Sequence, residues 1–98
     1  MGWTIQIEDE GGNAKKIMPK EFVLSDNEII YNKSFRLLKY LDPYGDTTFN
    51  AYMFEDLAAD LKELEGYLPA DKEQIEEVLH LVKECDVDIH TYLKFYGD

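Results

Sequence analysis

The stretch FRLLKYLDPYGDTTFNAYMFEDLAADLKEL, from Phe35 to Leu64, decides the fold that the sequence predicts. Aromatic and branched residues dominate FRLLKYL, which is typical of a strand. The next five residues, DPYGD, are dense in turn formers and predict a tight turn with positive φ at Gly45. TTFNAY then returns as a second strand. An antiparallel hairpin with strands at 35–41 and 47–52 is therefore predicted, and it leads directly into a helix.

Two helices follow from apolar residues at helical spacing. The first stripe begins at Phe54 and continues through Leu57, Ala58, Leu61 and Leu64. Gly66 is expected to stop this helix, because glycine favours the position after a helix end. Asp71 is expected to cap the second helix, together with Gln74 three residues later. The second stripe consists of Ile75, Val78, Leu79, Val82 and Cys85.

The two ends of the chain supply the remaining strands. Residues from Trp3 to Glu8 alternate between apolar and polar, which predicts a strand with one wet face. AKKIM is expected to return as a short second strand after the turn at 9–13. EFVLSDNEIIYN reads as a hairpin about Asp26-Asn27, with a short helical turn at 20–24 as the alternative. A last strand is predicted from Ile89 to Tyr96.

These elements predict a single α+β domain that spans residues 1–98. The expected sheet is antiparallel or mixed, with four to five strands, and both helices pack on one face of it. That arrangement buries the apolar stripe of each helix against the apolar face of the sheet. The C-terminal strand, which arrives after both helices, is expected to insert beside an earlier strand.

Charge narrows the classes of partner. The 98 residues contain 10 basic and 21 acidic side chains, for a net charge of −11, and most of the excess lies in the second half. Such a chain is repelled by nucleic acid and by anionic membranes, and it is attracted to basic proteins. A basic protein partner is therefore expected. The alternative interpretation is that the acidity serves solubility alone.

The residues expected to bind a partner are carboxylates and tyrosines. Six acids share helix faces at spacings that bring like charges together, which costs an isolated helix about 0.2–0.5 kcal/mol per pair. We expect them to be exposed and close enough to act as one field. Interfaces also favour tyrosine. The predicted partner-binding residues are Asp56, Asp60, Glu63, Glu73, Glu77, Glu84, Tyr44, Tyr92 and Tyr96.

Catalytic motifs are missing from the sequence, so the chain is predicted not to be an enzyme and to need no cofactor. It has no G-x-S-x-G, P-loop or G-x-G-x-x-G pattern. Its one cysteine, Cys85, lies on an apolar helix stripe and is expected to be buried and unreactive. A single cysteine also excludes an internal disulfide and fits a reducing compartment. With no apolar run of membrane-spanning length and no signal-peptide pattern, a cytoplasmic location is expected.

A metal site is the sharpest alternative that the sequence offers. Asp86, Asp88 and His90 alternate, and an extended backbone would point all three the same way. His80 and Glu84 also share a helix face, and such ligands suit hard or borderline ions. Because aspartates are equally common at helix ends and in loops, a structural role is favoured. No metal is therefore predicted, at these residues or in the Asp42–Asp46 turn.

Two motifs carry a resemblance. KYLDPYGDTTFN and the terminal HTYLKFYGD are similar to signatures of a set of small uncharacterised bacterial proteins, which open with a strand like WTIQIED. The resemblance implies no activity and no catalytic residues. In size and charge alone, the chain is also similar to bacterial immunity proteins, which neutralise toxins by covering a basic active site. The likeness to immunity proteins implies a non-enzymatic binding module that neutralises a basic toxin or nuclease. The alternatives are another role in a bacterial cell and a metal-dependent enzyme that uses Asp86, Asp88 and His90.

Overall fold

The computed structural model describes residues 2–85 and 90–97 and confirms an α+β fold. Its four strands are β1 (Trp3–Glu8), β2 (Ala14–Ile17), β3 (Asp46–Phe49) and β4 (Tyr92–Gly97). They form one antiparallel sheet in the order β2-β1-β4-β3. The helices of the described residues are α1 (Ile29–Asn32), α2 (Phe54–Tyr67) and α3 (Lys72–Cys85). Short 3₁₀ turns cover Leu38–Tyr40, Ala51–Met53 and Pro69–Asp71.

The C-terminal strand β4 lies at the centre of the sheet, between β1 and β3, and so confirms the expected insertion. It pairs with β1 from Trp3 opposite Gly97 to Glu8 opposite Tyr92. Leu93 and Phe95 are buried on the inner face of the sheet, towards the helices. Intervening side chains are only partly buried and point to the other face, which we call the outer face. The alternation expected for this strand is therefore confirmed, although its predicted start at Ile89 lies outside the described residues.

The core lies between the inner face of the sheet and the two long helices. The ring of Phe95 contacts Phe49 edge-on at 5.6 Å and Phe22 at 6.3 Å between centroids. Both predicted helix stripes are buried except for Ala58, which is partly buried. Burying a large apolar side chain contributes about 1.5–3 kcal/mol, so these stripes are the main reason that the helices dock on the sheet.

The predicted hairpin at 35–41 and 47–52 is wrong: its first strand is absent, and its second corresponds to β3, which ends at Phe49 before the 3₁₀ turn at Ala51–Met53. Residues Leu38–Tyr40 form a 3₁₀ turn, and β3 pairs with β4 instead. Phe35, Leu38 and Leu41 are all buried, at a spacing of three residues that suits a helical turn. The backbone N–H groups of residues 36–38 bind a carboxylate from α2 rather than a neighbouring strand. Tertiary contacts therefore override the strand propensity of this segment.

The predicted turn at DPYGD is present, but its backbone differs from the expectation. The N–H of Gly45 donates to the carbonyl of Asp42 at 3.3 Å, and the N–H of Tyr44 donates to Asp42 Oδ1 at 2.9 Å. Positive φ at Gly45 is wrong, because Gly12 is the one described residue with positive φ. A Cβ at Gly45 would lie 2.7 Å from Asp42 Oδ2, so a larger residue here would displace the Asp42 side chain that accepts from the N–H of Tyr44.

Neither reading of residues 20–32 is correct. Phe22 exchanges backbone hydrogen bonds with Trp3 at 2.8 and 3.0 Å, and the only helix in this region is α1. Side chains at the start of α3 hold the segment that follows Phe22. Gln74 accepts from the N–H of Val23 at 3.0 Å and donates to its carbonyl. Long-range contacts thus provide the partners that a local hairpin would have provided.

The junction between the two long helices also differs from the prediction. Gly66 lies inside α2, which continues to Tyr67. Pro69 explains the later end, because a proline disfavours helical backbone at the residue before it, and Leu68 has φ −126° and ψ 68°. Asp71 is buried and accepts from both the N–H and the hydroxyl of Ser25 at 2.8 Å. Its predicted partner Gln74 lies within 3.4 Å.

Candidate protein-binding surface

The exposed side of α3 forms one wall of a groove, which we call the α3 groove. The opposite wall comes from β2 and the residues that follow it, so the groove joins parts of the chain more than fifty residues apart. Its volume is about 470 Å³. The lining residues are Lys16, Met18, Pro19, Glu73, Glu76, Glu77, His80 and Leu81.

The α3 groove combines an apolar floor with acidic walls. Met18 and Leu81 are buried, at 5% and 4% exposure, and supply the floor. Glu73 and Glu77 are exposed and form no ion pair with any residue that the structure describes. Lysine and arginine suit such a groove, because their aliphatic stems bury against apolar surface while their charged ends stay near the carboxylates.

Glu84, at the far end of the same helix face, is bound within the fold. Its carboxylate lies 2.9 Å from Lys16 Nζ and 3.5 Å from His80 Nε2. An exposed ion pair of this kind contributes about 0–1 kcal/mol. Its clearer effect is to hold Lys16 of β2 over α3, where the carboxylate of Glu84 offsets the charge of this lysine.

Asp60 of α2 corrects the prediction that all six acids are exposed. Its side chain is 3% exposed, and its carboxylate accepts three backbone N–H groups. These come from Arg36 at 3.2 Å, Leu37 at 2.7 Å and Leu38 at 3.2 Å. Asp60 is therefore an anchor for the 36–38 segment and is not accessible to a partner. Helical spacing carried a signal, because Asp60 follows buried Leu57 by three residues.

The other predicted acids of α2 lie apart from the α3 groove. Asp56 forms an ion pair with Arg36 at 2.9 Å, and Glu63 is exposed. Lys62 and Lys83 line the surface between the two helices. Asp56 and Asp60 bind groups of the 36–38 segment, whereas Glu73 and Glu77 line the groove beside β2. A field shared by the remaining exposed acids stays a prediction.

The three predicted tyrosines occupy two places. Tyr44 is 71% exposed at the 42–45 turn. Tyr92 and Tyr96 are partly buried on the outer face of the sheet. Lys94 Nζ lies 4.8 Å from the centre of the Tyr96 ring, in the range of a cation–π contact. Tyr92, Lys94 and Tyr96 therefore offer a mixed aromatic and cationic surface, distinct from the acidic groove.

Glu8 is buried on that outer face, although the alternation of β1 placed it on the wet side. It is 6% exposed, and its carboxylate accepts from the Tyr96 hydroxyl and from the Gln6 amide. The hydrogen bond to Glu8 and, after it, burial raise the pKa of the Tyr96 phenol. The hydrogen bond to Tyr96 likewise raises the pKa of Lys94. This cluster ties β1 to β4 across the outer face.

The two motifs that carry the resemblance meet at one end of the sheet. The N–H of Gly97 donates to the carbonyl of Gly45 at 2.8 Å. Trp3 Nε1 donates to the carbonyl of Asp42 at 3.0 Å, so the N-terminal strand joins the same cluster. A Cβ at Gly97 would lie 2.4 Å from that carbonyl oxygen, which explains why a glycine is needed there. The contacts give these motif residues a structural role.

The metal alternative gains one partial observation. Asp86 and Asp88 lie outside the described residues, and His90 Nδ1 is 2.9 Å from Glu10 Oε1. Within residues 2–85 and 90–97, no three potential ligands cluster in a way that would hold a metal ion. The same ranges contain no helix long and apolar enough to span a membrane. Cys85 is fully buried, as predicted, and its reactivity stays a prediction.

Comparison of the chain with protein-family models, with curated proteins and with solved structures finds no match.

Proposed function

We propose that this protein is a non-enzymatic binding module whose α3 groove binds a basic protein. One observation carries the proposal: the α3 groove places Glu73 and Glu77 beside the apolar floor formed by Met18 and Leu81. Neither glutamate has an ion-pair partner among the described residues. Carboxylates of this kind accelerate association with a basic partner. The apolar floor supplies contact area that charge alone lacks.

The partner class we propose is a basic toxin or nuclease, with this chain as its immunity or inhibitor protein. The net charge of −11 supports that class, because such a chain is repelled by the nucleic acid that a nuclease binds and attracted to the enzyme itself. Tyr44 and the outer-face tyrosines are proposed as secondary contacts. Of the other predicted carboxylates, Glu84 stays in the proposed set because it lies on the groove face of α3. Asp56 and Glu63, which lie on α2 apart from the groove, and the buried Asp60 are removed from it.

The test is retention of a basic protein from the native cell by two variants of equal net charge. One carries Glu73→Lys and Glu77→Lys in the α3 groove, and the other carries Glu55→Lys and Glu63→Lys on α2. All four positions are exposed, so both variants are expected to fold. The proposal predicts that the wild type and the α2 variant retain the protein, whereas the α3 variant loses it.

Association kinetics measured with the captured protein then separate long-range electrostatic attraction from direct contacts in the groove. The on-rate of the wild type should fall as salt rises, because the Debye length shortens from about 10 Å at 0.1 M to about 3 Å at 1 M. The α3 variant should lose most of that salt dependence. Equal losses in both variants would show that net charge, rather than the groove, governs binding. Retention by neither the wild type nor the α2 variant would contradict the proposal.

A further inference from the structure

The outer edge of β2 presents backbone groups that no described strand binds. β2 is one of the two edge strands of the sheet, and all four of its residues are exposed. The N–H of Met18 donates to the carbonyl of Ile5 at 2.9 Å, and Lys16 lies opposite Ile7. Because hydrogen-bonding direction alternates along a strand, the N–H and carbonyl of Ile17 point away from β1. An exposed edge of this kind is a template for another strand.

The other edge strand, β3, is more covered by the rest of the chain. Phe49 of β3 is buried and Thr47 is partly buried, with its hydroxyl donating to the carbonyl of Tyr40 at 3.3 Å. All four residues of β2 are exposed, so β2 is the more accessible edge. A bulge between Ile7 and Glu8 limits the regular part of its ladder to the end nearest Met18. The α3 groove begins at this same end.

Side-chain direction links the β2 edge to the α3 groove. Lys16 points to the helix side of the sheet, as its contact with Glu84 shows, whereas Ile17 shares the outer face with Gln6. A strand added beyond β2 lies about 4.8 Å away and alternates in the same way. Every second side chain of that strand would then face α3, where Glu73 and Glu77 line the groove.

The charges of β2 favour a partner over a second copy of this chain. Lys15 and Lys16 stand side by side on the strand, and pairing two β2 edges would bring four lysines together. Lysine on an edge strand is a known protection against such self-association. A basic segment of a partner would also be repelled by these two lysines. That repulsion is reduced because Glu84 offsets the charge of Lys16, and Glu73 and Glu77 attract the basic side chains that face α3.

We infer that an extended basic segment of the partner adds to β2 as a fifth strand and places its lysine or arginine side chains in the α3 groove. The inference rests on the proposed function and specifies how the partner is recognised. Main-chain hydrogen bonds supply affinity in this mode of binding, and the pockets for alternate side chains supply specificity. Only a short ladder is available, so charge and backbone contacts must act together.

The probe is a labelled, end-blocked peptide of alternating lysine and valine, seven residues long. Two derivatives carry N-methyl groups, one on the valine amides and one on the lysine amides, and an alternating glutamate and valine peptide controls for charge. Binding is measured by fluorescence anisotropy, and hydrogen exchange of the Ile17 amide is followed by NMR. The two N-methylated peptides have the same charge, so only a directional backbone contact distinguishes them.

Strand addition predicts saturable binding of the lysine–valine peptide, at least tenfold weaker binding of one N-methylated derivative, and slower exchange of the Ile17 amide. If only methylation of the valine amides weakens binding, the added strand is antiparallel. In that arrangement the residue that exchanges hydrogen bonds with Ile17 lies opposite it and shares its outer-face orientation, as the valines do when the lysines face α3. If only methylation of the lysine amides weakens binding, the added strand is parallel. Saturable binding of the acidic peptide would overturn the inference.

Equal affinities of the two N-methylated peptides, or no saturable binding of the parent peptide, would also overturn strand addition. The proposed function would survive either result if the Glu73→Lys and Glu77→Lys variant still lost the native partner. If that variant retained the partner, the groove itself would be excluded. Ile17→Pro, with Ile17→Thr as its control, repeats the backbone test from the side of the protein, because proline is tolerated in edge strands.

Discussion

The acidic residues of α2 and those of α3 look alike in the sequence, yet the structure uses them differently. Asp60 of α2 is buried and binds three backbone N–H groups, and Asp56 pairs with Arg36. Glu73 and Glu77 of α3 remain exposed, and none of the described residues pairs with them. A carboxylate that has replaced its water with backbone donors stabilises the fold. One that keeps its water remains available to a partner.

The comparison also shows why like charges are tolerated on α3. Each like-charged pair at helical spacing costs about 0.2–0.5 kcal/mol, which is small against the burial of the apolar stripe on the other side of the helix. On α2 the repulsion is reduced further, because Asp60 and Asp56 bind groups of the 36–38 segment. The exposed acids of α3 therefore contribute little to the stability of the fold.

The largest expected effect is at Asp60. Asp60→Ala should lower the free energy of unfolding by at least about 2 kcal/mol, because each buried donor left without an acceptor costs about 1–3 kcal/mol. Urea denaturation followed by tryptophan fluorescence measures it, since Trp3 is buried in the core. Glu63→Ala on the same helix is the control and should change stability by less than about 0.5 kcal/mol. Similar losses in the two variants would erase the distinction between the two kinds of carboxylate.

Asp60 also marks the limit of what the sequence could predict. The strands β1 and β4 and the two helix stripes were predictable, because each depends only on the period of its own apolar residues. The 35–41 segment was not, because its short apolar run suits a strand or a helical turn equally well. Asp60, more than twenty residues away, decides between them through the N–H groups of Arg36, Leu37 and Leu38.

The candidate binding surface was predictable in part. The shared face of Glu73 and Glu77 followed from helical spacing, and the exposed turn that carries Tyr44 followed from its turn-forming residues. The floor of the α3 groove did not, because Met18 and Leu81 are brought together only by the packing of α3 beside β2. The free edge of β2 depends on the strand order, which no local pattern reveals. Sequence thus indicated the charges of the surface but not its shape.

A second, smaller effect is expected at Asp71, which sharpens the comparison within one region of the chain. Asp71 precedes α3 directly and is buried, and its Oδ2 accepts from both the N–H and the hydroxyl of Ser25. Asp71→Ala should lower the free energy of unfolding by about 1–2 kcal/mol, since a charged acceptor is lost. Ser25→Ala, which removes only the hydroxyl donor, should cost less. If Asp71→Ala lowered the free energy of unfolding no more than an exposed substitution does, burial would not distinguish the acids that stabilise the fold from those that do not.

Neutralising the α3 groove should leave stability almost unchanged. Glu73→Gln combined with Glu77→Gln keeps the size of both side chains and removes two like charges. The free energy of unfolding should change by less than about 0.5 kcal/mol and, if at all, should rise, because self-repulsion falls. Urea denaturation at low salt gives the measurement. A loss above about 1 kcal/mol would mean that these carboxylates support the fold, as Asp60 does.

The smallest expected effect is at Glu8, a carboxylate that lies on the outer face yet is bound by its neighbours. The pKa of Tyr96 is raised above its ordinary value of 10.0, first by the hydrogen bond to Glu8 and then by burial. A phenol whose pKa is higher in the folded state stabilises the fold fully below the unfolded pKa, and this contribution is lost as pH rises through the folded pKa. Tyr96 should therefore ionise later than an unperturbed tyrosine, and Glu8→Gln should lower its pKa. NMR titration of ¹³C-labelled tyrosine measures both values, with Tyr96→Phe to assign the signal. An unchanged pKa in Glu8→Gln would show that burial alone raises the pKa of the phenol, and Glu8, although buried like Asp60, would then not act through its hydrogen bond to Tyr96.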